Sequence, residues 1–358
     1  MTNPSRDEEP GLFKRVVSVQ EALRRGLPTQ KLRLLLAHIY LFPWFVRRCF
    51  DCELPLRPFL DANPNLDLGG LPIAPKLSRY GTEPPYLPSL RIGNDPDLAA
   101  IEEFTAKHAF PFVLKPLFGA HSRGVQKITS LDEILTSAGT EPMVLQPYVD
   151  APKEYGINVM RVGDRLRIYG LTEVPIRAVW GDGEQCLQAL AEEKYAPAVT
   201  SQIENGHWTP PAGKHVPLQV AADPATGPVC RDRTEAVTPA LRRACQQAAD
   251  QIGLRFGRFD VKARSLDALQ EGDFYVLEAN GSPSLDLTLY DDRYSLAEKI
   301  ERLRAHWDEF FHQSRARTSP DENSWRLLAI LLWFAVAPGR CVASFRHEVN
   351  DGELTSRA

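Results

Sequence analysis

The sequence predicts an α+β protein, because β-hairpin patterns and amphipathic helices follow one another along its 358 residues. One hairpin is indicated by the β-prone segments 110–116 and 124–128, and another by the segments that meet at the turn Val162–Arg165. The clearest helix covers 238–253, with a threonine cap, a proline at its first position and a glycine at its end. A composition of 43% hydrophobic and 25% charged residues is typical of a soluble globular chain.

Local signals place the other elements. Asn94 or Asp95 is expected to cap a helix at 95–108, and Ser130 with Glu133 forms the pattern of a capping box at the start of the next helix. The further predicted elements are an apolar helix at 32–46, a strand at 142–149, a short helix at 187–194, two antiparallel strands at 255–264 and 273–280 joined by a turn, and a helix at 295–315.

Two segments are unusually apolar, Leu32–Val46 and Leu327–Pro338, and the first is flanked by basic residues. Both are shorter than the roughly 20 residues that a membrane-spanning helix needs. They are interpreted either as helices that pack on the core or as an interfacial membrane contact, with the basic flanks facing lipid headgroups.

Charge and cysteine content give no support to nucleic-acid binding, to a disulfide framework or to a zinc site. The formal charge of −4 gives no indication of nucleic-acid binding. The six cysteines form no readable disulfide framework, and the pair in "CFDC" lacks the second pair of ligands that a zinc site requires. Reduced thiols are therefore expected.

The stretch "FYVLEANGSPS" ends an apolar strand on Glu278 and Asn280, which are two residues apart and so point to the same side. Pairing with the preceding strand can place Asp260 beside Glu278, and Arg258 shares the face of Asp260. Carboxylate and amide oxygens are ligands that Mg²⁺ prefers, and an arginine beside them can hold a phosphate in transfer. The alternative is a solvated sheet edge with a salt bridge.

Phosphates require a binding loop, and the common phosphate-loop motifs are missing. The best candidate is "FVLKPLFGAHSRGV", in which Lys115 ends a strand, Gly119 and Gly124 free the loop backbone, and Ser122 can close over phosphate. Taken alone, the segment is better explained as a plain hairpin loop. In "MVLQPYVDAPKEYG", backbone groups at Gln146 to Val149 could read an adenine edge and Glu154 could accept hydrogen bonds from a ribose.

The order of "FPFVLKP…GAHSRGV", "MVLQPYV…KEYGINVMRVGDR", "GRFDV" and "FYVLEANGSPS" resembles the ATP-grasp superfamily, in particular D-alanine–D-alanine-ligase-like carboxylate–amine ligases. The resemblance covers about residues 70 to 310 and does not extend to the apolar segments. "EVPIRAVWGDGEQCLQAL" is similar to part of cyanophycin-synthetase-like and bifunctional glutathione-synthetase-like members, and "ANGSPSLDLTLYDDRYSL" to mycosporine-glycine-synthase-like ligases.

The resemblance implies an ATP-grasp fold, in which two α+β sub-domains clasp ATP between antiparallel sheets. The implied division is a reduced N-terminal segment with an apolar helix at 1–70, a small sub-domain with the glycine-rich loop at 71–150, a C-terminal sub-domain with the metal site at 151–312, and a linker with an apolar segment at 313–358.

The resemblance also implies roles for individual residues. The ATP-binding set is Lys76, Lys115, Gly119, Ser122, Gly124, Gln146, Val149 and Glu154. The metal ligands are Asp260, Glu278 and Asn280, the catalytic arginine is Arg258, and the residues expected to meet substrate are Ser282 and Ser284.

The implied reaction uses ATP and Mg²⁺, or Mn²⁺, to phosphorylate a carboxylate, after which an amine attacks the acyl phosphate. The implied partners are a small carboxylate and an amine, such as an amino acid, and a second copy in a homodimer. The expected location is the cytoplasm, with peripheral membrane contact as an alternative. The competing functions are an ATP-grasp kinase and a membrane-apposed nucleotide-binding protein without ligase activity.

Overall fold

The computed structural model describes residues 29–51, 57–71, 76, 79–118, 124–137, 141–195, 200, 203, 205–219, 229–282 and 284–314. The helices are α1 (Thr29–Phe50), α2 (Arg57–Asp61), α3 (Leu98–His108), α4 (Leu131–Ser137), α5 (Leu187–Glu192), α6 (Pro239–Ile252), α7 (Leu266–Glu271) and α8 (Leu296–Ser314). The strands are β1 (Leu90–Ile92), β2 (Phe112–Pro116), β3 (Gln126–Ile128), β4 (Met143–Pro147), β5 (Lys153–Val162), β6 (Arg165–Val174), β7 (Ala178–Trp180), β8 (His215–Pro217), β9 (Arg231–Asp232), β10 (Phe256–Ala263) and β11 (Tyr275–Asn280).

The larger sheet has five antiparallel strands in the order β11-β10-β5-β6-β9. One of its faces is apolar, because Tyr155, Ile157 and Val159 alternate along β5 and pack with Phe259 and Val261 of β10. The amphipathic helix α6 covers this face and buries its own apolar stripe there. This layer forms the main core.

The opposite face of the same sheet carries glycine and polar residues. Gly156 of β5 lies under Leu287, so closely that a Cβ at Gly156 would be 2.7 Å from the Leu287 Cδ1 atom. Asn158 comes next on this face and is fully buried. The chain from 284 to 290 therefore crosses this face, and α8 packs beyond it with α1 through Leu289 and Leu303.

The smaller sheet has four antiparallel strands in the order β1-β4-β2-β3. Its core is formed by Phe112, Leu114 and Leu145 against Ile101 of α3. The small sheet and the segment before it are both hydrogen-bonded to β11. The backbone N–H of Val276 donates to the carbonyl of Pro85, which precedes β1, at 2.9 Å, and Lys115 Nζ of β2 donates to the Leu277 carbonyl at 3.0 Å. The small sheet thus ends beside the strand that carries Glu278. A third sheet pairs β7 with β8.

This arrangement confirms the predicted α+β class. The helix at 238–253 is confirmed with its Thr238 cap, and Ser130 Oγ accepts from the Glu133 N–H as expected of a cap. The Glu133 carboxylate accepts from the Thr129 N–H rather than from that of Ser130, so the capping box is only half formed by the predicted pair. The predicted cap of the helix at 95–108 is wrong, because Asp97 accepts from the Ala100 N–H and the helix begins at Leu98. The predicted domain division stays a prediction.

Two further expectations change in detail. The strands β10 and β11 are joined by the short helix α7, capped by Ser265, rather than by a turn alone. The apolar segment 32–46 is helical and extends to 29–50, whereas 327–338 lies outside the described residues. Among the helices that the structure describes, none has the length and apolarity to cross a membrane.

Candidate active site

Strands β10 and β11 place the predicted metal ligands opposite one another. Asp260 pairs with Glu278, and Arg258 pairs with Asn280, in antiparallel register. Because alternate residues of a strand share a face, all four side chains lie on the polar face of the large sheet. The structure therefore brings together the four residues that the sequence predicted from the period of two.

Asp260 is held by its two neighbours on this face. Arg258 donates from Nε to Asp260 Oδ1 at 2.6 Å and from Nη2 to Oδ2 at 3.0 Å, which is a bidentate ion pair. Asn280 Nδ2 donates to Asp260 Oδ2 at 2.7 Å. The aspartate, arginine and amide therefore form one hydrogen-bonded cluster.

Glu278 faces a second group of cations. Its Oε1 is 3.1 Å from Arg79 Nη1 and its Oε2 is 3.7 Å from Lys76 Nζ. Burial alone would raise the pKa of Glu278, but the net shift of the pKa is downward because Lys76, Arg79 and then Lys115 stabilise the carboxylate. Glu278 is therefore ionised near neutral pH.

Lys115 at the end of β2 is buried beside the same carboxylate, and its ammonium lies 4.9 Å from the centre of the Tyr80 ring. The pKa of Lys115 is lowered to about 7, because burial, with a smaller contribution from Lys76, outweighs the opposing effects of Glu278 and Asp260. An additional anion in this space would favour the charged lysine, which suits a phosphate-binding role.

Sequence reasoning missed Arg79 and Tyr80. The Arg79 side chain is almost fully buried and also donates to the Leu71 carbonyl. Burial, followed by the nearby Glu278, raises the pKa of the Tyr80 phenol well above its usual value, so the phenol stays protonated. The sequence signal that could have found Arg79 is its position three residues after Lys76, because the Arg79 N–H donates to the Lys76 carbonyl across one turn.

A buried polar network behind Arg258 was also missed. The Leu285 carbonyl accepts from Arg258 Nη1 at 3.2 Å and from Asn158 Nδ2 at 3.4 Å. Asn158 Nδ2 also lies 3.5 Å from the Tyr169 hydroxyl, which is 3.1 Å from His306 Nδ1. The chain segment after Ser284 is thus anchored to the sheet through the same carbonyl that orients the arginine.

The predicted nucleotide residues lie along the margin between the two sheets. Glu154 on β5 is opposite Lys262 of β10, and its Oε1 is 3.5 Å from Lys262 Nζ. Gln146 of β4 is buried and donates from Nε2 to Ser89 Oγ at 2.7 Å, while Val149 is half-buried two residues beyond the end of β4. The side chain of Gln146 is therefore engaged within the protein, and the expectation that backbone groups at Gln146 to Val149 read an adenine edge stays a prediction.

The loop and substrate residues are only partly described. Gly119 and Ser122 lie outside the described residues, and Gly124 has φ +71°, a conformation that favours glycine. The Ser282 hydroxyl is fully buried and accepts from Asn63 Nδ2 at 3.2 Å, so it is held inside the protein. The Ser284 hydroxyl is buried and has no hydrogen-bond partner in the described part of the chain. Buried hydroxyls are usually paired, so a water molecule or a ligand group is expected to bond this one.

The donor set fits a magnesium ion. Among the described residues, no three His, Cys, Asp or Glu side chains are grouped to hold a metal. The cluster instead offers two carboxylates and one amide, and Mg²⁺ commonly takes one or two carboxylates together with phosphate oxygens and water. The Asn280 amide donates to Asp260 here, and turning it over would present its oxygen.

Among known proteins, the similarity of this chain is to solved structures. No protein-family model matches the chain, and no curated protein matches it. Solved structures that resemble it include VanG D-Ala:D-Ser ligase from Enterococcus faecalis, with 13% identity over 71% of this chain and 64% of that one and a TM-score of 0.36. D-alanine–D-alanine ligase from Bacillus anthracis has 15% identity over 73% and 69%, with a TM-score of 0.35.

This chain spans a smaller share of two other matches. A bifunctional glutathione synthetase from Pasteurella multocida has 14% identity over 70% of this chain and a TM-score of 0.33, and the chain spans 36% of it. The ATP-grasp ligase PsnB has 17% identity over 62% of this chain and a TM-score of 0.34, and the chain spans 55% of it. PsnB belongs by its description to the fold family that the sequence resembles. TM-scores below 0.5 carry no inference about function, which therefore depends on the site.

Proposed function

We propose that this protein is an ATP-grasp carboxylate–amine ligase that joins a small carboxylic acid to an amine, such as an amino acid, through an acyl phosphate. The observation that carries the proposal is the pairing of Asp260 with Glu278, with Asn280 and Arg258 on the same face of the sheet. Buried lysine and arginine side chains adjoin this cluster from the small sheet and the preceding loop.

The charge balance of the site supports binding of a polyphosphate. Four basic side chains, those of Lys76, Arg79, Lys115 and Arg258, surround the two carboxylates. All four are largely buried, and a buried excess of cations is costly unless an anion accompanies it. The triphosphate of ATP with one Mg²⁺ carries the charge that would complete this cluster.

Each residue has a defined task in the proposed reaction. Lys115 and Lys76 hold the phosphates, and Arg258, oriented by Asp260 and the Leu285 carbonyl, stabilises negative charge on the phosphoryl group as it moves to the carboxylate. Asp260, Glu278 and Asn280 would hold Mg²⁺, which supplies charge neutralisation on the phosphates. Arg79 acts indirectly, because it keeps Glu278 ionised and in place.

The acyl phosphate must be protected from water until the amine arrives. Residues 119–124, in the predicted glycine-rich loop, are proposed to cover the phosphates. The unpaired hydroxyl of Ser284 is proposed to contact the acid or the amine, because it lies where the chain leaves β11 and crosses the polar face. The region 181–216, which follows β7 and ends within β8, is proposed as a second cover over the acceptor.

The test is ADP release in the presence of ATP and Mg²⁺, measured over panels of amino acids and small carboxylic acids, with mass detection of any conjugate. We expect ADP and an amide product to appear together for one acid–amine pair. Glu278→Gln should lower the rate by about 10²–10³-fold, the size expected when one preorganised charge contact is removed. Glu271→Gln makes the same change at an exposed position of α7 and should leave the rate unchanged.

Two outcomes would overturn the proposal. ADP release with a phosphorylated product and no amide would show a kinase. Full activity in Glu278→Gln would show that the facing carboxylates are not the reaction centre.

A further inference from the structure

Helix α1 has two apolar faces, of which the protein covers one. Leu34, Ala37 and Leu41 are buried against Leu289 and Leu303 of the layer that contains α8. These positions recur every three to four residues, as expected for one side of a helix. The packing interpretation of the sequence is therefore confirmed for this face of α1.

The opposite face is also apolar but is exposed. Seven of the thirteen large apolar side chains that are exposed among the described residues lie on α1. They are Leu32, Leu35, Leu36, Ile39, Tyr40, Phe42 and Phe50, and their exposed fractions range from 38% to 72%. A helix that is apolar on all sides is found in a protein core or in a lipid environment, so this face needs an apolar neighbour.

The charges of α1 differ from those of the whole chain. Its 22 residues contain no aspartate or glutamate and include four lysine or arginine residues, whereas the chain as a whole carries a formal charge of −4. Arg47 is exposed and follows Ile39 by eight residues, which places it on the exposed side. Arg33 donates to the Asp292 and Tyr294 carbonyls and Arg48 lies 3.6 Å from Asp308, so both are held against the protein. The described exposed face therefore carries Arg47 and no acidic residue, which suits an anionic lipid surface.

The shape of the exposed face favours a membrane plane over a protein groove. A helix of this length is about 33 Å long, and its exposed apolar positions continue from its first turns to its last residue. Helices with an apolar side, basic residues and aromatic residues lie in the plane of the headgroups rather than crossing the bilayer.

We propose that α1 docks this protein onto anionic lipid membranes, with its exposed apolar face inserted between the headgroups and Arg47 in contact with lipid phosphates or carboxylates. The covered face of α1 packs on Leu285 and Leu289, and the Leu285 carbonyl accepts from Arg258. Docking would therefore hold the candidate active site close to the bilayer surface. The proposal does not depend on which reaction that site performs.

The experiment measures how much of the full-length protein floats with vesicles, either of phosphatidylcholine alone or of phosphatidylcholine with phosphatidylserine. Wild-type protein should bind the phosphatidylserine vesicles and bind neutral vesicles at least about five-fold more weakly, since each basic residue at the surface contributes on that scale. Ile39→Glu and Phe42→Ser should each lower the bound fraction about tenfold or more. Arg47→Glu should lower it about five-fold, on the anionic vesicles only.

Two matched substitutions serve as controls. Leu98→Glu changes an exposed apolar residue on α3, and Arg242→Glu reverses an exposed arginine on α6, on the other side of the large sheet. Neither should alter vesicle binding. Because all these positions are exposed, the variants should fold like the wild type, and thermal unfolding checks this.

Three results would overturn the proposal. Equal vesicle binding by wild type and the α1 variants is the first. The second is a dimer in sedimentation experiments that Ile39→Glu dissociates, without any vesicle binding, because a second copy would then cover the face. The third is vesicle binding that Trp333→Glu abolishes and Ile39→Glu leaves intact, because the other apolar segment would then make the contact.

Discussion

The two faces of the large sheet are made from the same strands but have opposite characters. Along β10, Phe259 points into the apolar layer under α6, while its neighbour Asp260 points into the cluster of charges. The apolar face is stabilised by burial, whereas the polar face keeps charged groups partly out of water at a cost. Buried charges of this kind cluster where ligands bind, so the contrast between the faces supports the proposed site.

The largest expected effect comes from substitutions at two adjacent positions of β10, one on each face of the sheet. Phe259→Ala should lower the free energy of unfolding by about 3–5 kcal/mol, because it leaves a cavity in the core. Asp260→Asn should abolish ADP release, and its cost in stability comes from the lost ion pair with Arg258 and not from a cavity. Urea unfolding and steady-state assays of both variants test the contrast. If both variants lost stability and activity to the same extent, the proposed contrast between the two faces would be wrong.

The next effect concerns pH. The unfolded chain keeps Lys115 protonated up to about 10.5, whereas the folded protein releases this proton above a pKa of about 7. The unfolded state therefore binds more protons between these values, and stability should rise with pH across that window. Urea unfolding should show a gain of about 1–2 kcal/mol between pH 7 and pH 9.

The control for this prediction is a second lysine. Lys115→Met should remove the gain, and Lys127→Met, at an exposed position of β3, should preserve it. A gain that persists in Lys115→Met would show that another group titrates. Added ATP should reduce the gain in the wild type, because the phosphates favour the protonated lysine.

These residues also show how far the sequence predicts the site. Asp260, Glu278, Asn280 and Arg258 could be grouped in advance because strand periodicity and antiparallel pairing fix which side chains meet. Arg79 could not, since it meets Glu278 across 199 residues and the chain around it has no regular pattern. Irregular segments carry no periodic signal, so their long-range contacts depend on the complete fold.

The same distinction applies to smaller features. The Thr238 cap was predicted because threonine, proline and a closing glycine form a local signal. The cap at Asp97 was missed, because Asn94, Asp95 and Asp97 are all capping residue types within a few positions. The network of Asn158, Tyr169 and His306 was missed as well, because it joins β5, β6 and α8.

The polar network gives a smaller prediction. Asn158→Ala should remove one hydrogen bond to the Leu285 carbonyl and loosen the arginine that shares it, which lowers kcat about tenfold while KM for ATP stays close to the wild-type value. Thr172→Val, on the same face, serves as the control. An effect on stability alone, with kcat unchanged, would make Asn158 structural only.

The smallest effect lies on the apolar side. Thr238→Ala removes the cap of α6 and should cost about 1 kcal/mol of stability. ADP release should be unchanged, because the helix lies on the face opposite the site. Thermal unfolding together with the activity assay checks both parts, and a large loss of activity would show that the two faces are not independent.

The most direct test of the central claim is calorimetric titration of a non-hydrolysable ATP analogue into the protein with and without Mg²⁺. The polar face predicts binding that is stronger with Mg²⁺, weakened more than about tenfold by Lys115→Ala, and unaffected by Arg242→Glu on α6. Absence of nucleotide binding, or equal affinity in Lys115→Ala and the wild type, would contradict the assignment of this face as a nucleotide site.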